Sequence, residues 1–301
     1  MILTNEYLRV EIAELGAELM SIYDRSAGTE LLWNGDPAYW KRRSPILFPN
    51  VGKTWQNVMH IDGATYPTSQ HGFARDRDFV CEAFDDTSAT WLLRSDAQTR
   101  ERYPYDFELR IRYALEGRSL RVTWIVDNPN DREMAFTIGG HPAFCFERAE
   151  DSKDGYALRF PDADALHYIL LDPASGTARP EDARALVLAD GMLPLSDELF
   201  TRDAMIFDGG QIDEVWLCSS DGTPRVGMRC PGFPNFGVWS VVGAPFVCLE
   251  PWAGRCDDSG FEGELRDKPN VNLLPAGGRF ERSYEILLPK ALKRTCKDPT
   301  V

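Results

Sequence analysis

The sequence predicts an all-β protein, a large antiparallel β-sandwich with few short helices. Apolar and polar residues alternate with a period of two along much of the 301-residue chain, which is typical of strands with one buried face. Turn signals interrupt this alternation at short intervals, as they do between the short strands of a sandwich. With 43% hydrophobic and 11% aromatic residues the chain can bury a large core, which excludes disordered and low-complexity proteins.

The strands are predicted from this alternation in chain order. Residues 8–12 alternate from the start of the chain. Residues 107–115 and 120–126 alternate on either side of a short turn at Gly117, which predicts a β-hairpin with one buried face. The same rules predict hairpin turns at Asp62-Gly63 and Asp221-Gly222, and a late strand over 284–288.

Helical signals are few. Ser196 is followed by two acidic residues, which predicts an N-cap and the first turn of a short helix. Residues 180–188 favour a second short helix. Because no linker or internal repeat divides the chain, we expect one domain over 1–292, followed by a disordered tail over 293–301.

Charge and cysteine content restrict the partners and the compartment. The chain has 33 basic and 47 acidic residues, a net charge of −14, which repels nucleic acid and anionic membrane surfaces. The N-terminus lacks a basic region followed by an apolar core, and no apolar run is long enough to span a bilayer. The 7 cysteines form no C-x-x-C pair, so we expect reduced, mostly buried thiols. These features predict a cytoplasmic protein without nucleic-acid or membrane partners; they leave the oligomeric state open.

Three segments combine chemically active side chains with glycine or proline. His71 and Arg75 lie within five residues of each other, and His141 stands between two glycines and a proline. Glu250 follows an apolar run and precedes Pro251, where we expect the strand to end. A carboxylate at such a position is costly to bury unless it is paired.

Each of these segments also has a simpler interpretation. The two histidine segments are compatible with ordinary turns, and Glu250 with a side chain that leaves the core at a loop. Beside Trp252, however, the carboxylate suits a sugar site, where an aromatic face covers C–H bonds and the acid handles hydroxyls. His60 and His167 lie within predicted strands and are interpreted as structural.

Other chemistries lack their motifs. The chain has no G-x-S-x-G, no G-x-x-x-x-G-K-[ST], no H-E-x-x-H and no G-x-G-x-x-G that opens a helix. His71 and His141 have no histidine partner at metal-binding spacing. We therefore predict neither a metal site nor a cofactor.

Taken together, the motifs resemble the aldose 1-epimerase (mutarotase) family, and most closely its branch of bacterial proteins associated with lactose operons. The likeness runs from about residue 3 to 289 and is carried by five motifs in the right order. These are HGFARD at 71–76, GGHPAF at 139–144, LEPW at 249–252, WKRRSPILFPNVG at 40–52, and DELF running on to DAMIF over 197–207.

The resemblance implies a galactose mutarotase-like sandwich that interconverts the α and β anomers of an aldose without a cofactor or a metal. Glu250 matches the base that accepts the C1 hydroxyl proton, and His141 matches the acid that protonates the ring oxygen. An imidazolium near its usual pKa suits that second role. His71 matches a substrate contact, Arg42 and Arg75 match basic positions near the site, and Asp203 matches an acid that orients hydroxyls.

The substrate and the activity stay open at this point. Pro142-Ala143-Phe144 stands where free-galactose mutarotases have an Asn-containing loop, and the two arginines suit a sugar phosphate as well as a hydroxyl pair. The alternatives are therefore an aldohexose or a hexose phosphate as substrate. A non-catalytic carbohydrate-binding protein on the same sandwich is the rival from another class. A glycoside hydrolase is weaker, since it needs two suitably spaced carboxylates and only one is convincing.

Overall fold

The structure is a computed structural model that describes residues 1–148 and 150–289. The predicted tail over 293–301 lies outside the described residues. Strands dominate, and the described residues contain a single short α-helix, Ala97–Arg100. Asp96 caps this helix: its side chain accepts a hydrogen bond from the Thr99 N–H, and the Thr99 hydroxyl accepts one from the Asp96 N–H. The all-β prediction is confirmed.

Thirteen strands precede and follow this helix up to residue 140. They are β1 Ile2–Thr4, β2 Leu8–Ile12, β3 Leu19–Asp24, β4 Thr29–Glu30, β5 Ile46–Leu47, β6 Val58–Ile61, β7 Ala64–Pro67, β8 Val80–Phe84, β9 Ser88–Arg94, β10 Glu108–Glu116, β11 Ser119–Asp127, β12 Met134–Phe136 and β13 Ile138–Gly140.

Twelve strands complete the described chain. They are β14 Ala143–Cys145, β15 Tyr156–Arg159, β16 Ala165–Leu171, β17 Ala178–Val187, β18 Met192–Pro194, β19 Met205–Asp208, β20 Glu214–Ser219, β21 Pro224–Arg229, β22 Asn235–Trp239, β23 Phe246–Ala253, β24 Asn272–Leu274 and β25 Arg279–Leu287. Short 3₁₀ turns occur at Trp55–Asn57, Ala74–Asp76, Lys153–Gly155, Asp197–Phe200 and Leu265–Asp267.

Two large antiparallel sheets form the sandwich. The nine-stranded sheet has the order β18-β15-β20-β21-β25-β11-β10-β9-β8. The eight-stranded sheet has the order β17-β16-β19-β22-β23-β13-β5, with β14 also paired to β23. The sheets meet closely at Gly140, where an added Cβ would lie 3.0 Å from the Tyr284 hydroxyl and 3.2 Å from the Trp124 ring. One hydrophobic cluster extends from Leu3 to Leu288 and contains residues of both large sheets.

The hairpins form at the predicted places. β10 and β11 pair from Glu108↔Asp127 to Glu116↔Ser119 around Gly117. The turns at Asp62-Gly63 and Asp221-Gly222 join β6 to β7 and β20 to β21, and the late strand is β25.

One helix prediction is wrong, and the other is confirmed in its position but not in its helix type or its capping hydrogen bond. Of the residues 180–188, all but Leu188 fall in the edge strand β17, because backbone pairing with β16 outweighs the weak local helical preference. Pro180 is tolerated there since an edge strand has one unpaired side. Ser196 precedes only a one-turn 3₁₀ helix and makes no capping hydrogen bond.

Two further sequence expectations concern membranes and thiols. Within residues 1–148 and 150–289, no helix has the length and apolar character needed to cross a bilayer. The six cysteines of this part of the chain are free, and four of them are buried.

Candidate active site

The site is built at an interruption in the eight-stranded sheet. On one side of β23, β13 pairs with Trp252 and Ala253, and β14 pairs with Phe246 to Cys248. Between β13 and β14 the strand pairing is interrupted at His141 and Pro142, which lie opposite Glu250 and Pro251 of β23. The break therefore brings His141 beside Glu250, although 108 residues separate them in the sequence (250 − 141 − 1).

This arrangement corrects one expectation. Pro251 does not end its strand: β23 continues to Ala253, and Pro251 pairs with Phe236 of β22. A proline in a central strand normally costs a ladder hydrogen bond. Neither β13 nor β14 has a residue paired with Pro251. No strand on that side therefore requires the N–H that proline lacks.

His141 is held by its backbone and by aromatic neighbours. Its N–H donates to the Pro45 carbonyl at 3.2 Å. Its ring stacks on Trp40 with centroids 4.8 Å apart and meets Trp239 edge-on at 5.5 Å. The Nε2 atom lies 3.4 Å from Oε2 of Glu250. The imidazole is thus fixed on two sides, with its reactive edge toward the carboxyl.

Trp252 occupies a slot made by two glycines. A Cβ at Gly139 would lie 2.5 Å from its ring, and a Cβ at Gly237 would lie 2.4 Å from it. Gly139 and Gly237 come from the strands on either side of β23, so any side chain there would push the indole out. Gly139, the first of the two glycines before His141, therefore makes space for the Trp252 ring in the wall of the site.

His71 lies across from His141 with ring centroids 5.4 Å apart. Its φ of 66° is left-handed, and two hydrogen bonds to Gly52 hold it there. The His71 N–H donates to the Gly52 carbonyl at 2.8 Å, and the Gly52 N–H donates to Nδ1 of His71 at 3.1 Å. Because Nδ1 accepts the hydrogen bond of the Gly52 N–H, it carries no proton, so the ring is neutral and has its proton on Nε2.

Arg42 and Arg75 converge at the same side of the site. Arg42 pairs with Asp76 at 2.5 Å, and Arg75 donates to the Gln70 carbonyl at 2.7 Å. Among the described residues, Nε of Arg75 has no hydrogen-bond partner although it is buried. Burial, and next the charge of Arg42, lower the pKa of Arg75 to about 10. Two close guanidiniums with an unpaired donor are suited to an anion.

Asp203 lies before β19 with a left-handed φ of 69°. Burial raises the pKa of its carboxyl, and the Ala204 N–H, the Lys53 ammonium and the Trp239 indole oppose that rise. The charge of Asp203 in turn acts on Glu250. Asp203 thus acts electrostatically on Glu250, whereas Arg42 and Arg75 act on the two histidines.

Burial has the largest effect on whether His141 or Glu250 carries the proton that the pair shares. It raises the pKa of the Glu250 carboxyl well above its usual range, and the charge of Asp203 adds to that rise. Burial lowers the pKa of His141 to about 3, with Arg75 and Arg42 adding to the effect. Both shifts therefore favour a neutral imidazole beside a protonated carboxyl in the unliganded pair, and not the imidazolium with an ordinary pKa that we expected.

All six predicted site residues line one open cavity of about 860 Å³, within the roughly 300–1,000 Å³ range of small-molecule sites. Its walls also contain residues that we did not predict. Trp40 and Trp239 were missed because tryptophans in an apolar pattern are usually core. Lys53 carries no local signal beyond its place after the glycine that holds His71.

Lys153 is a further missed residue, in a polar segment that gives no sign of burial. Its ammonium pairs with Asp197 at 2.7 Å and donates to the carbonyls of Val241 and Ala244 at 2.8 and 3.0 Å. Val241 borders the cavity, as does Phe200 at the end of the turn that contains Asp197. Lys153 therefore ties together two parts of the cavity rim.

The part of the chain that the structure describes contains one group of side chains that could ligate a metal. Ligand atoms of His141, Cys248 and Glu250 lie within 4.8 Å of one another. Burial raises the pKa of the Cys248 thiol, and a thiol that keeps its proton is a poor metal ligand. The residues therefore do not favour a metal, and proton transfer between His141 and Glu250 is the chemistry that they can perform.

The neutral state of His71 predicts a pH dependence of stability. Burial, then the charges of His141, Arg75 and Arg42, lower its pKa well below 6.5. Unfolded chains bind a proton here near pH 6.5 and the folded protein does not, so the free energy of unfolding falls as the pH drops below that value. The slope from this residue is up to about 1.4 kcal/mol per pH unit.

Urea unfolding between about pH 5 and pH 7.5 measures this slope. His71→Gln is expected to reduce the slope, whereas His167→Gln, at an exposed position in β16, is expected to leave it unchanged. Parallel stability curves for wild type and His71→Gln would contradict the prediction.

Comparisons with known proteins agree with this geometry. The chain is 32% identical over 299 residues to the plasmid protein LacX of Lactococcus lactis subsp. lactis, covering 95% of this chain and 98% of the relative. It superposes with a TM-score of 0.91 on a galactose mutarotase related enzyme from Lactobacillus acidophilus, at 30% identity, covering 97% and 98% of the two chains. A galactose mutarotase-like protein from Lactobacillus casei gives a TM-score of 0.88 at 29% identity, covering 96% and 99%.

The fold and the site thus define a galactose mutarotase-like β-sandwich with a buried carboxyl–imidazole pair at its cavity. The family model of aldose 1-epimerase matches residues 1–257. The chain belongs to the aldose 1-epimerase family, a family of sugar isomerases.

Proposed function

We propose that the protein is a mutarotase, which interconverts the α and β anomers of an aldohexose or a hexose phosphate by acid–base ring opening and closure. The observation that carries this proposal is the His141–Glu250 pair, 3.4 Å apart in a cavity that His71, Arg42, Arg75 and Asp203 also line. Ring opening needs one group to take the proton of the C1 hydroxyl and another to protonate the ring oxygen. A buried pair that shares one proton supplies both.

The division of roles follows the family resemblance. Glu250 accepts the proton of the C1 hydroxyl, and His141 delivers a proton to the ring oxygen. Rotation about the C1–C2 bond then presents the other face of the aldehyde to the C5 hydroxyl. On ring closure both protons return, so the pair is restored and no cofactor is consumed.

The resting proton position requires one preceding step. The neutral pair and the ion pair have the same net charge, so the proton can pass from Glu250 to His141 without exchange with solvent. A bound sugar favours the ion pair, because its hydroxyls replace the missing solvation of the carboxylate. In the unliganded protein, within the described residues, buried Oε2 of Glu250 has no hydrogen-bond partner.

The remaining side chains position the sugar. His71 donates from Nε2 toward a substrate oxygen, since its Nδ1 is occupied by the Gly52 N–H. Asp203 accepts hydrogen bonds from ring hydroxyls. Trp40, Trp239 and Trp252 line the same cavity and offer apolar surface to C–H bonds.

Of the two substrate classes, the charges of the cavity favour the phosphate. The protein as a whole carries −14, yet cationic side chains outnumber acidic ones in the cavity wall. The cations are Lys41, Arg42, Lys53, Arg75 and Arg202, and the acids are Asp172, Asp203 and Glu250. The unpaired Nε of Arg75 adds a donor without a protein acceptor among the described residues.

Arg75→Met is expected to raise the KM for a hexose 6-phosphate by roughly 10- to 100-fold, the worth of a hydrogen bond to a charged group. The KM for the unphosphorylated hexose is expected to change by less than about threefold. Anomer exchange followed by NMR with both sugars measures the difference. Arg9→Met, at a surface ion pair with Glu11, is the control for a lost charge. Equal effects of Arg75→Met on both sugars would contradict the phosphate preference.

Polarimetry and NMR exchange of the purified protein test the activity itself. We expect acceleration of anomer exchange for glucose, galactose or their 6-phosphates above the spontaneous rate. Saturable sugar binding without acceleration would instead identify a non-catalytic carbohydrate-binding protein on this sandwich.

A further inference from the structure

Lys53 is a cavity residue that the acid–base mechanism leaves without a role. It follows Gly52, is half-buried, and lines the cavity together with Gly176. Its side chain runs along Gly176 so closely that an added Cβ there would lie 2.9 Å from Cδ and 3.3 Å from Nζ. Because Gly176 has no side chain, the side chain of Lys53 can pass close to this turn. Its ammonium group therefore lies along the cavity wall.

The ammonium group of Lys53 differs from those of the buried lysines. Lys153 pairs with Asp197 at 2.7 Å, and Lys268 pairs with Asp257 at 2.7 Å. Within residues 1–148 and 150–289, no carboxylate lies within 4.0 Å of Nζ of Lys53 and no protein acceptor takes its hydrogen bonds. An ammonium group without a protein partner among the described residues can donate its hydrogen bonds to a ligand in the cavity.

Asp203 is the acidic residue on which Lys53 acts. Both residues line the cavity, and the Lys53 ammonium favours the charged carboxylate of Asp203, which opposes the rise of its pKa. The two groups are more than 4.0 Å apart, since they form no ion pair. Arg42 and Arg75 act instead on His71 and His141. Of Lys53 and these two arginines, only the arginines have been given a role.

We infer that Lys53 is a substrate-binding residue that hydrogen-bonds to one ring hydroxyl of the sugar. This hydroxyl lies between the ammonium group of Lys53 and the carboxylate of Asp203. An ammonium only donates and a carboxylate only accepts, whereas a hydroxyl does both and satisfies the two at once. The inference rests on the proposed mutarotase function and adds a specificity residue to it: the hydroxyl belongs to C2, C3 or C4, away from the reacting C1.

The expected result of Lys53→Met is a KM roughly 10- to 100-fold higher, with kcat changed by less than about threefold. Arg184→Met, which removes the same unit of charge at an exposed position in β17, is expected to change neither constant by more than about twofold. Lys53→Gln retains a donor and is expected to fall between wild type and Lys53→Met. This second variant also keeps the inference testable should the methionine variant fold poorly.

A series of 2-, 3- and 4-deoxy analogues of the preferred sugar separates contact from a merely structural role. For wild type, one of the three is expected to show a KM raised by about tenfold or more. Lys53→Met is expected to show no further rise with that analogue and the ordinary response to the other two. A loss of coupling at one position is the signature of a direct contact.

The outcomes distinguish the inference from the function on which it rests. If wild type accelerates anomer exchange and Lys53→Met responds to all three deoxy sugars as wild type does, the role of Lys53 is overturned and the mutarotase stands. If wild type does not accelerate the exchange of any of the sugars, the mutarotase proposal and the role of Lys53 are both overturned.

Discussion

Glu250→Gln is expected to lower kcat for anomer exchange by roughly 10²–10⁴-fold, the usual worth of a positioned acid or base. Glutamine keeps the shape and hydrogen-bonding groups of the protonated carboxyl that Glu250 presents at rest, but it cannot accept the C1 hydroxyl proton. KM is expected to change little, because the sugar contacts made by His71, Asp203 and the arginines are retained.

The measurement is the exchange rate between anomers by NMR, with polarimetry as a second method. Glu281→Gln, an exposed position in β25, is the matched control and is expected to retain wild-type rates. The free energy of unfolding of Glu250→Gln is expected to equal or exceed that of wild type, since the carboxyl is only 1% exposed and is neutral at rest. A Glu250→Gln protein with the wild-type exchange rate would overturn the assignment of the base.

Gly72→Ala is expected to lower the free energy of unfolding by about 3–5 kcal/mol. Gly72 has a φ of 71°, and an added Cβ would lie 2.2 Å from the Phe48 carbonyl oxygen. That oxygen already accepts the N–H groups of Phe73 and Ala74, so it cannot retreat without loss of both bonds. Since His71 is the preceding residue, the shift is also expected to misplace its ring and lower kcat/KM.

Gly63→Ala separates the steric clash from the backbone strain. Gly63 has a φ of 75°, nearly that of Gly72, but no atom lies within 4 Å of an added Cβ. Its replacement is expected to cost only the left-handed strain, about 1–2 kcal/mol. Urea unfolding of the two variants measures the difference. Equal costs for the two glycines would show that the clash at Phe48 relaxes freely and would contradict the prediction.

The predictable part of the fold is local. The β10–β11 hairpin follows from alternation around Gly117, because both its sheet faces and its turn are encoded in about 20 consecutive residues. The helix predicted over residues 180–188 was wrong for the opposite reason. The conformation of this segment depends on pairing with β16, which the local residue pattern does not encode. The short turn after Ser196 likewise depends on Lys153, which takes Asp197 as its partner from another part of the chain.

The candidate site also has features that the sequence predicts and features that only the structure shows. The residue types at His71, His141 and Glu250 made each segment a candidate, and the resemblance to the aldose 1-epimerase family joined them into one predicted site. Their protonation was not predictable, because the imidazolium expected at His141 is excluded by burial that several distant segments create together. Lys53 and Trp239 belong to this second kind too, since only the cavity shows which way their side chains face.

The sequence by itself determined the strand pattern, the turns, the family resemblance and the chemistry available at the three motifs. These are properties of consecutive residues, and short-range sterics and hydrophobic periodicity encode them directly. The tertiary structure decided the break between β13 and β14 that admits His141, the passage of β23 through Pro251, and the resting place of the proton. Each depends on the packing of segments far apart in the chain, because solvent exclusion and backbone pairing are collective effects that no single segment contains.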